Sequence, residues 1–173
     1  MILMRHGQST FNVVYNVTRV DPGILDPPLT EAGRRQALEV AQGLRGRGFQ
    51  RLLTSPYRRA LETADLVAGV LGLAVVVEPL VRERHAFHCD IGSPRSELQA
   101  RWPHLAFDHL AERWWPEDEE TEAELHARCM AFRRLVAAWD DHEGVLAVSH
   151  WGFIRALTGV PATNAELVPF NPG

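Results

Sequence analysis

Residues 1–10 read MILMRHGQST, and the fold turns on how that stretch is read. Met1 to Met4 are four apolar residues in a row, the pattern of a strand covered on both faces in a parallel sheet. Arg5, His6 and Gly7 follow at once, where such a strand must stop. In open α/β sheets, ligands sit beyond the carboxyl ends of the strands. A cation, an imidazole and a glycine at that point are therefore candidates for a binding site. Gly7 is expected there because it lets the backbone turn sharply beside His6.

Three further runs have strand character: RLLTS at 51–55, AVVVE at 74–78 and VLAVSH at 145–150. Helical patterns lie between or beside them. Thr30 caps a helix that sets Ala37, Val40, Ala41 and Leu44 on one face. In SPYRRALETADLVAGVLG, residues 55–72, Ser55 reads as the N-cap, Pro56 as the first helical residue and Gly72 as the stop. Ala60, Ala64, Val67 and Leu71 form its inner face. From residue 121, Thr121 and Glu124 make a capping box, and Leu125, Cys129, Phe132, Val136 and Trp139 recur at helical spacing. Strands alternating with helices predict an α/β fold with a mainly parallel central sheet covered on both faces. Residues 79–120 are irregular and rich in His, Trp, Pro and charge, and read as an insertion over one end of the sheet. The whole of 1–173 reads as one domain.

Composition narrows the function. The net charge is −4, which gives no support to a nucleic-acid partner. All 18 basic residues are Arg, so every fixed positive charge is a planar fork suited to phosphate or carboxylate. Two cysteines, Cys89 and Cys129, make neither a disulfide framework nor a zinc quartet. No run approaches the ~20 apolar residues of a membrane span, and no leader precedes the first strand, so a cytoplasmic protein is expected. The short first strand leaves room for a start slightly upstream. Monomer and homodimer both stay open.

The strand ends carry complementary chemistry. The first ends at Arg5-His6-Gly7, and the second at Ser55 with Arg58 and Arg59 just beyond. The third leads into Arg82, Glu83 and Arg84, and the fourth ends at Ser149-His150. Phosphoryl transfer spreads negative charge over three equatorial oxygens, which Arg forks and backbone donors can hold. Neutral imidazole is a competent nucleophile, and Glu83 is a carboxyl placed to protonate a leaving alkoxide. Guanidinium groups can supply the charge that Mg²⁺ supplies elsewhere, so neither a metal nor a cofactor is expected.

RHGQSTFN resembles the signature of the histidine phosphatase superfamily, which includes the phosphoglycerate mutases. GILDPPLTEAGRRQA, TSPYRRALETA, LVRERH and VSHWGFIRAL are similar to further segments of that family, in the same order, from Ile2 to about Leu157. The resemblance implies a three-layer α/β/α sandwich with one antiparallel edge strand. It implies His6 as the nucleophile and Arg5, Gly7, Asn12, Arg59 and His150 around the phosphoryl group. Glu83 would be general acid and then base. Where the family usually has Gly-Gly after the second histidine, this chain has Trp151-Gly152, so only the backbone N–H of Trp151 carries over as a donor. The stretch from Asn12 to Gly23 is a few residues long for the family, and Pro22 replaces a polar residue.

Two outcomes of the phosphoenzyme compete. The segment between Glu83 and His150 is short for a mutase lid, and the chain stops soon after LVPFNPG, so a phosphomonoesterase is preferred to a phosphoglycerate mutase-type transferase. Its expected partner is a small phosphorylated metabolite. Arg82, His85, His88, Arg95, Trp114 and Trp115 are candidates for the substrate pocket. The Trp pair either roofs the site or packs the insertion onto the core. Glu117 to Glu120 reads as a solvated face. Of a different class, His85, His88 and Cys89 could make a metal-binding module, or the chain could bind phosphorylated partners without catalysis.

Overall fold

The computed structural model describes residues 1–173 and contains one five-stranded sheet between two helical layers. Strands β1 (Ile2–Arg5), β2 (Arg51–Thr54), β3 (Val75–Val77) and β4 (Val145–Ser149) are the four apolar runs, and a fifth, β5 (Leu167–Pro169), closes one edge. Their order is β3-β2-β4-β1-β5, parallel throughout except for β5, which runs antiparallel to β1. The expected architecture is thus present.

Alternation along the strands sorts the core into two layers. Leu3, Leu53 and Ala147 face helices α5 (Glu122–Ala137) and α6 (Trp151–Thr158), where Phe132, Val136, Phe153 and Ile154 cover them. Met4, Leu52, Leu146 and Val148 face α2 (Glu31–Gly43) and α3 (Arg58–Leu71), against Ala37, Ala41, Ala60 and Ala64. Small residues on α2 and α3 let those helices lie close to the sheet. Cys129 is one more packed side chain on α5, and burial pushes its thiol up to about 11.

Caps follow the sequence at Thr30, whose hydroxyl accepts from Gly33 N–H, at Gly72 in the left-handed region, and at Thr121 with Glu124. The start of α3 differs. The helix begins at Arg58 rather than Pro56, its Arg58 N–H donates to the buried Asp26 carboxylate, and Ser55 turns its hydroxyl to other work. Helix α1 (Thr10–Thr18), to which the sequence patterns assign nothing, is held by a capping box between Ser9 and Asn12.

The 79–120 segment has one short helix, α4 (Arg95–Arg101), two 3-10 turns and a small core of its own. Leu98, Trp102, Leu105, Phe107 and Leu110 pack on Leu61 of α3 and Val77 of β3. No helix is long and apolar enough to cross a membrane.

Candidate active site

The parallel register sets three strand ends level. Arg5 pairs with Ser149 and Thr54 with Val148, so His6, Ser55 and His150 emerge side by side. The His6 N–H donates to the Ser149 carbonyl at 2.9 Å, which fixes the two histidine-bearing turns together. Their rings stand 5.0 Å apart between centroids. Both are buried, as is Arg59 from the first turn of α3.

His6 Nδ1 lies 2.7 Å from the Gly7 carbonyl oxygen, which can only accept. Nδ1 therefore carries the proton and Nε2 keeps its lone pair. Burial, and then the charges of Arg59 and Arg5, hold this imidazole well below its ordinary range, so it is neutral near pH 7. His150 is likewise depressed, first by burial and then by Arg59. Its Nε2 sits 2.7 Å from Ser55 Oγ, an oxygen that also accepts the Tyr57 N–H.

Buried polar atoms are seldom left unpaired. Three side-chain atoms here are: Arg5 Nε, His150 Nδ1 and Thr10 Oγ1. The first two flank His6. Arg5 spends one nitrogen on the Ala162 carbonyl, and Arg59 spends two, on the Cys89 carbonyl at 2.7 Å and the Asp90 carboxylate at 2.9 Å. Asn12 accepts from Ser9 and Asn164 through Oδ1, which turns its amide nitrogen the other way.

Gly7 departs from its expected part. Its φ is not in the left-handed region, and its N–H donates to Thr63 Oγ1 rather than standing free for an anion. What excludes a side chain is proximity: a Cβ on Gly7 would be driven into the Gly33 carbonyl at the start of α2.

Glu83 closes the site from the side of the insertion. Its carboxylate accepts from Arg84 N–H at 2.9 Å and from the Gly152 and Phe153 amides of α6 at 3.2 Å. Burial first, and the Asp90 charge second, raise this carboxyl above its ordinary range despite Arg59 and those amides. A Cβ at Gly152 would press on Glu83 Oε1, so Gly there lets the carboxylate lie against the start of α6. The loop bearing Glu83 is clamped from behind. Arg128 of α5 donates to the carbonyls of Leu80 and Arg82 at 2.8 Å and pairs with Glu120 at 2.6 Å, and Arg82 pairs with Glu120 in turn. Glu120, expected on a solvated face, is the buried centre of this cluster.

A cavity of about 370 Å³ opens over His6. Arg5, His6, Asn12, Arg59, Glu83 and Trp151 all line it, and the buried His150 ring lies 5.0 Å from that of His6. None of the six expected pocket residues does. Arg82 is held by Glu120, His85 Nδ1 contacts the Asp90 carbonyl oxygen, and His88 and Arg95 pair at the surface with Asp21 and Glu112. Trp114 donates to the Ser93 carbonyl, stacks edge-on against Tyr57 and Trp115, and packs on the insertion's core. Neither ring lines the cavity, and their contacts are with Tyr57, with each other and with the insertion. His85, His88 and the buried Cys89 have separate partners and form no metal-ligand cluster.

Residues that the sequence reading passed over complete the wall. Phe11, Tyr15, Asn16 and Arg19 come from α1 and its end, and Phe87 from the insertion. Asp90 joins the two ends: one oxygen takes Arg59, the other accepts the Ala86 and Phe87 amides. The only signal for Asp90 in the sequence is its place within an otherwise unpatterned loop.

The sequence profile of the histidine phosphatase superfamily (branch 1) matches residues 1–166. A probable phosphoglycerate mutase GpmB of Yersinia enterocolitica is 41% identical over 83 residues, which cover 48% of this chain and 37% of that relative. The match thus spans little more than a third of the curated relative's length. Among solved structures, the mycobacterial glucosyl-3-phosphoglycerate phosphatase complexed with VO3 superposes with a TM-score of 0.67 at 25% identity, covering 96% of this chain and 88% of the other. Bacillus stearothermophilus YhfR superposes with a TM-score of 0.64 at 29% identity, covering 91% and 77%.

Proposed function

The chain belongs to the histidine phosphatase superfamily (branch 1), and we propose that within it the protein is a metal-independent phosphomonoesterase of small phosphorylated metabolites, working through a phosphohistidine on His6. One observation carries this reading. A neutral imidazole with its proton fixed on Nδ1 lines a cavity beside Arg5, and buried nitrogens of Arg5 and of the neighbouring His150 are left unpartnered. A tetrahedral oxyanion would pair both, and Arg59 and Asn12 stand ready beside it.

The Nε2 lone pair of His6 attacks phosphorus in line, and the bond from phosphorus to the leaving oxygen breaks. Glu83 gives its proton to that oxygen as it departs. The Nδ1–H bond to the Gly7 carbonyl supports the charge that forms on the ring. Arg5, Arg59 and the Trp151 N–H, which Glu83 leaves free, meet the equatorial oxygens. His150 donates from Nδ1 when the Ser55 hydroxyl gives its hydrogen to Nε2. Glu83, now a carboxylate, takes a proton from water as its oxygen attacks phosphorus. The phosphorus–nitrogen bond breaks, inorganic phosphate leaves, and His6 is again neutral.

Hydrolysis is favoured over transfer by the open rim. Phe87 and Trp151 stand 39% and 38% exposed at the cavity wall, so water reaches the phosphoenzyme. The name of the Yersinia relative supports a second reading, a phosphoglycerate mutase-type transferase. The test is turnover of p-nitrophenyl phosphate and of 3-phosphoglycerate in EDTA. Release of phosphate from both supports the esterase. Isomerisation of 3-phosphoglycerate without release supports the mutase, and loss of all activity on chelation rejects the metal-free mechanism.

A further inference from the structure

We propose that the aromatic part of the cavity wall selects phosphomonoesters whose leaving alcohol carries an aromatic ring close to the phosphate oxygen, a proposal that rests on the phosphomonoesterase reading above. Phe11 and Tyr15 lie one helical turn apart on α1 and so share a face. Their rings stack at 5.1 Å and 16°. Phe87 arrives from the insertion and meets Tyr15 edge-on at 5.2 Å and Phe11 at 5.7 Å. All three line the cavity that holds His6, Phe11 buried and Tyr15 and Phe87 partly exposed, and none joins the three hydrophobic clusters around the sheet and in the insertion.

Their placement is built, not incidental. The Phe87 N–H donates to Asp90, whose other oxygen holds Arg59, so one carboxylate sets the ring wall and the phosphate end in register. Arg19 lays its guanidinium over the Tyr15 ring at 5.9 Å, from a backbone with φ of 57° that is uncommon outside Gly and Asn. Tyr15 and Phe87 keep ring surface open to the cavity, and such surface gains from covering by another ring, edge-on or offset. A polyhydroxylated leaving group would instead lose water from its hydroxyls against carbon, without replacement hydrogen bonds. The cavity, about 370 Å³, has room for a phosphoryl group and a ring.

The test compares kcat/KM for benzyl phosphate and glycerol 1-phosphate, both esters of ordinary alcohols, so that leaving-group acidity does not separate them. The expected preference for benzyl phosphate is about tenfold or more, the discrimination that an apolar pocket commonly gives. Phe87→Ala and Tyr15→Ala should each pull the ratio toward one, and the ratio is insensitive to any loss of folded enzyme. Should either variant fail to fold, competitive inhibition of the wild-type enzyme by benzylphosphonate and methylphosphonate reads the same preference. Equal kcat/KM values, equal inhibition, or variants that leave the ratio unchanged would overturn the ring selection while the esterase reading stands. No turnover of either ester and no trapped phosphoenzyme would overturn both.

Discussion

His6, Arg59 and His150 are at most 3% exposed, whereas Phe87 and Trp151, walls of the same cavity, are more than a third exposed. The first group is placed by sheet register: each side chain leaves a strand end or the helix that follows it, and neighbouring backbones hold it. The second group stands on a loop and a helix start at the rim, where the side chains face solvent. On the proposed function, the chemistry would sit at the buried strand ends and the choice of leaving group at the solvent-facing rim. Glu83 spans the two regions. It opens the insertion, yet α6 amides hold its carboxylate and Arg128 clamps its loop.

Arg59→Ala tests the rigid region hardest. Loss of a preorganised charge donor should lower kcat by about 10²–10³. It also leaves Asp90 buried and unpaired, which costs about 3–5 kcal/mol of stability, read from the denaturant midpoint. A normal kcat would remove Arg59 from the phosphate end.

Glu83→Gln comes next and discriminates between substrates. Turnover of alkyl esters should fall far more than that of p-nitrophenyl phosphate, whose leaving group departs without a proton. The pH profile carries the sign. The proposed mechanism needs His6 neutral and Glu83 protonated. The depressed His6 stays neutral to well below pH 6.5, and the raised Glu83 loses its proton only above its usual range. Thus kcat/KM for alkyl esters should fall as pH rises through the Glu83 titration, which lies above the ordinary carboxylate range. The variant should lack that alkaline limb, and equal losses on both ester types would take Glu83 out of the acid role.

Trp114→Phe should give the smallest effect and mark the other side of the comparison. It keeps ring packing on Tyr57 but loses the Ser93 hydrogen bond, worth about 1 kcal/mol. Stability should drop by that amount and the ranking of substrates should not move. A changed ranking would return the Trp pair to the substrate.

Strands β1 to β4 were legible because each centres on a short apolar run, and the candidate site was legible because their ends carry the polar groups. Strand β5 was not: it has three residues, one a proline, and is a strand only through its pairing with β1. Helix α1 hides for a related reason. Its Val-rich TFNVVYNVT has weak helix propensity, and Ser9 with Asn12 is not the usual Ser-x-x-Glu box. With α1 unassigned, Phe11 and Tyr15 could not be seen as a wall. Ser55 was misread because a Ser-Pro pair after a strand has the form of an N-cap, and only the fold brings His150 within 2.7 Å of it. In the insertion, Trp and His look alike in sequence whether they pack or bind.

The central claim is that His6 accepts the phosphoryl group. Rapid acid-free quenching of the enzyme during turnover, followed by peptide mass analysis, reads it directly. The account predicts one phosphoryl group on the peptide bearing His6, labile in acid, stable in alkali, and absent from His6→Ala along with all turnover. Phosphate on another residue, or a His6→Ala protein that still turns over, would contradict it.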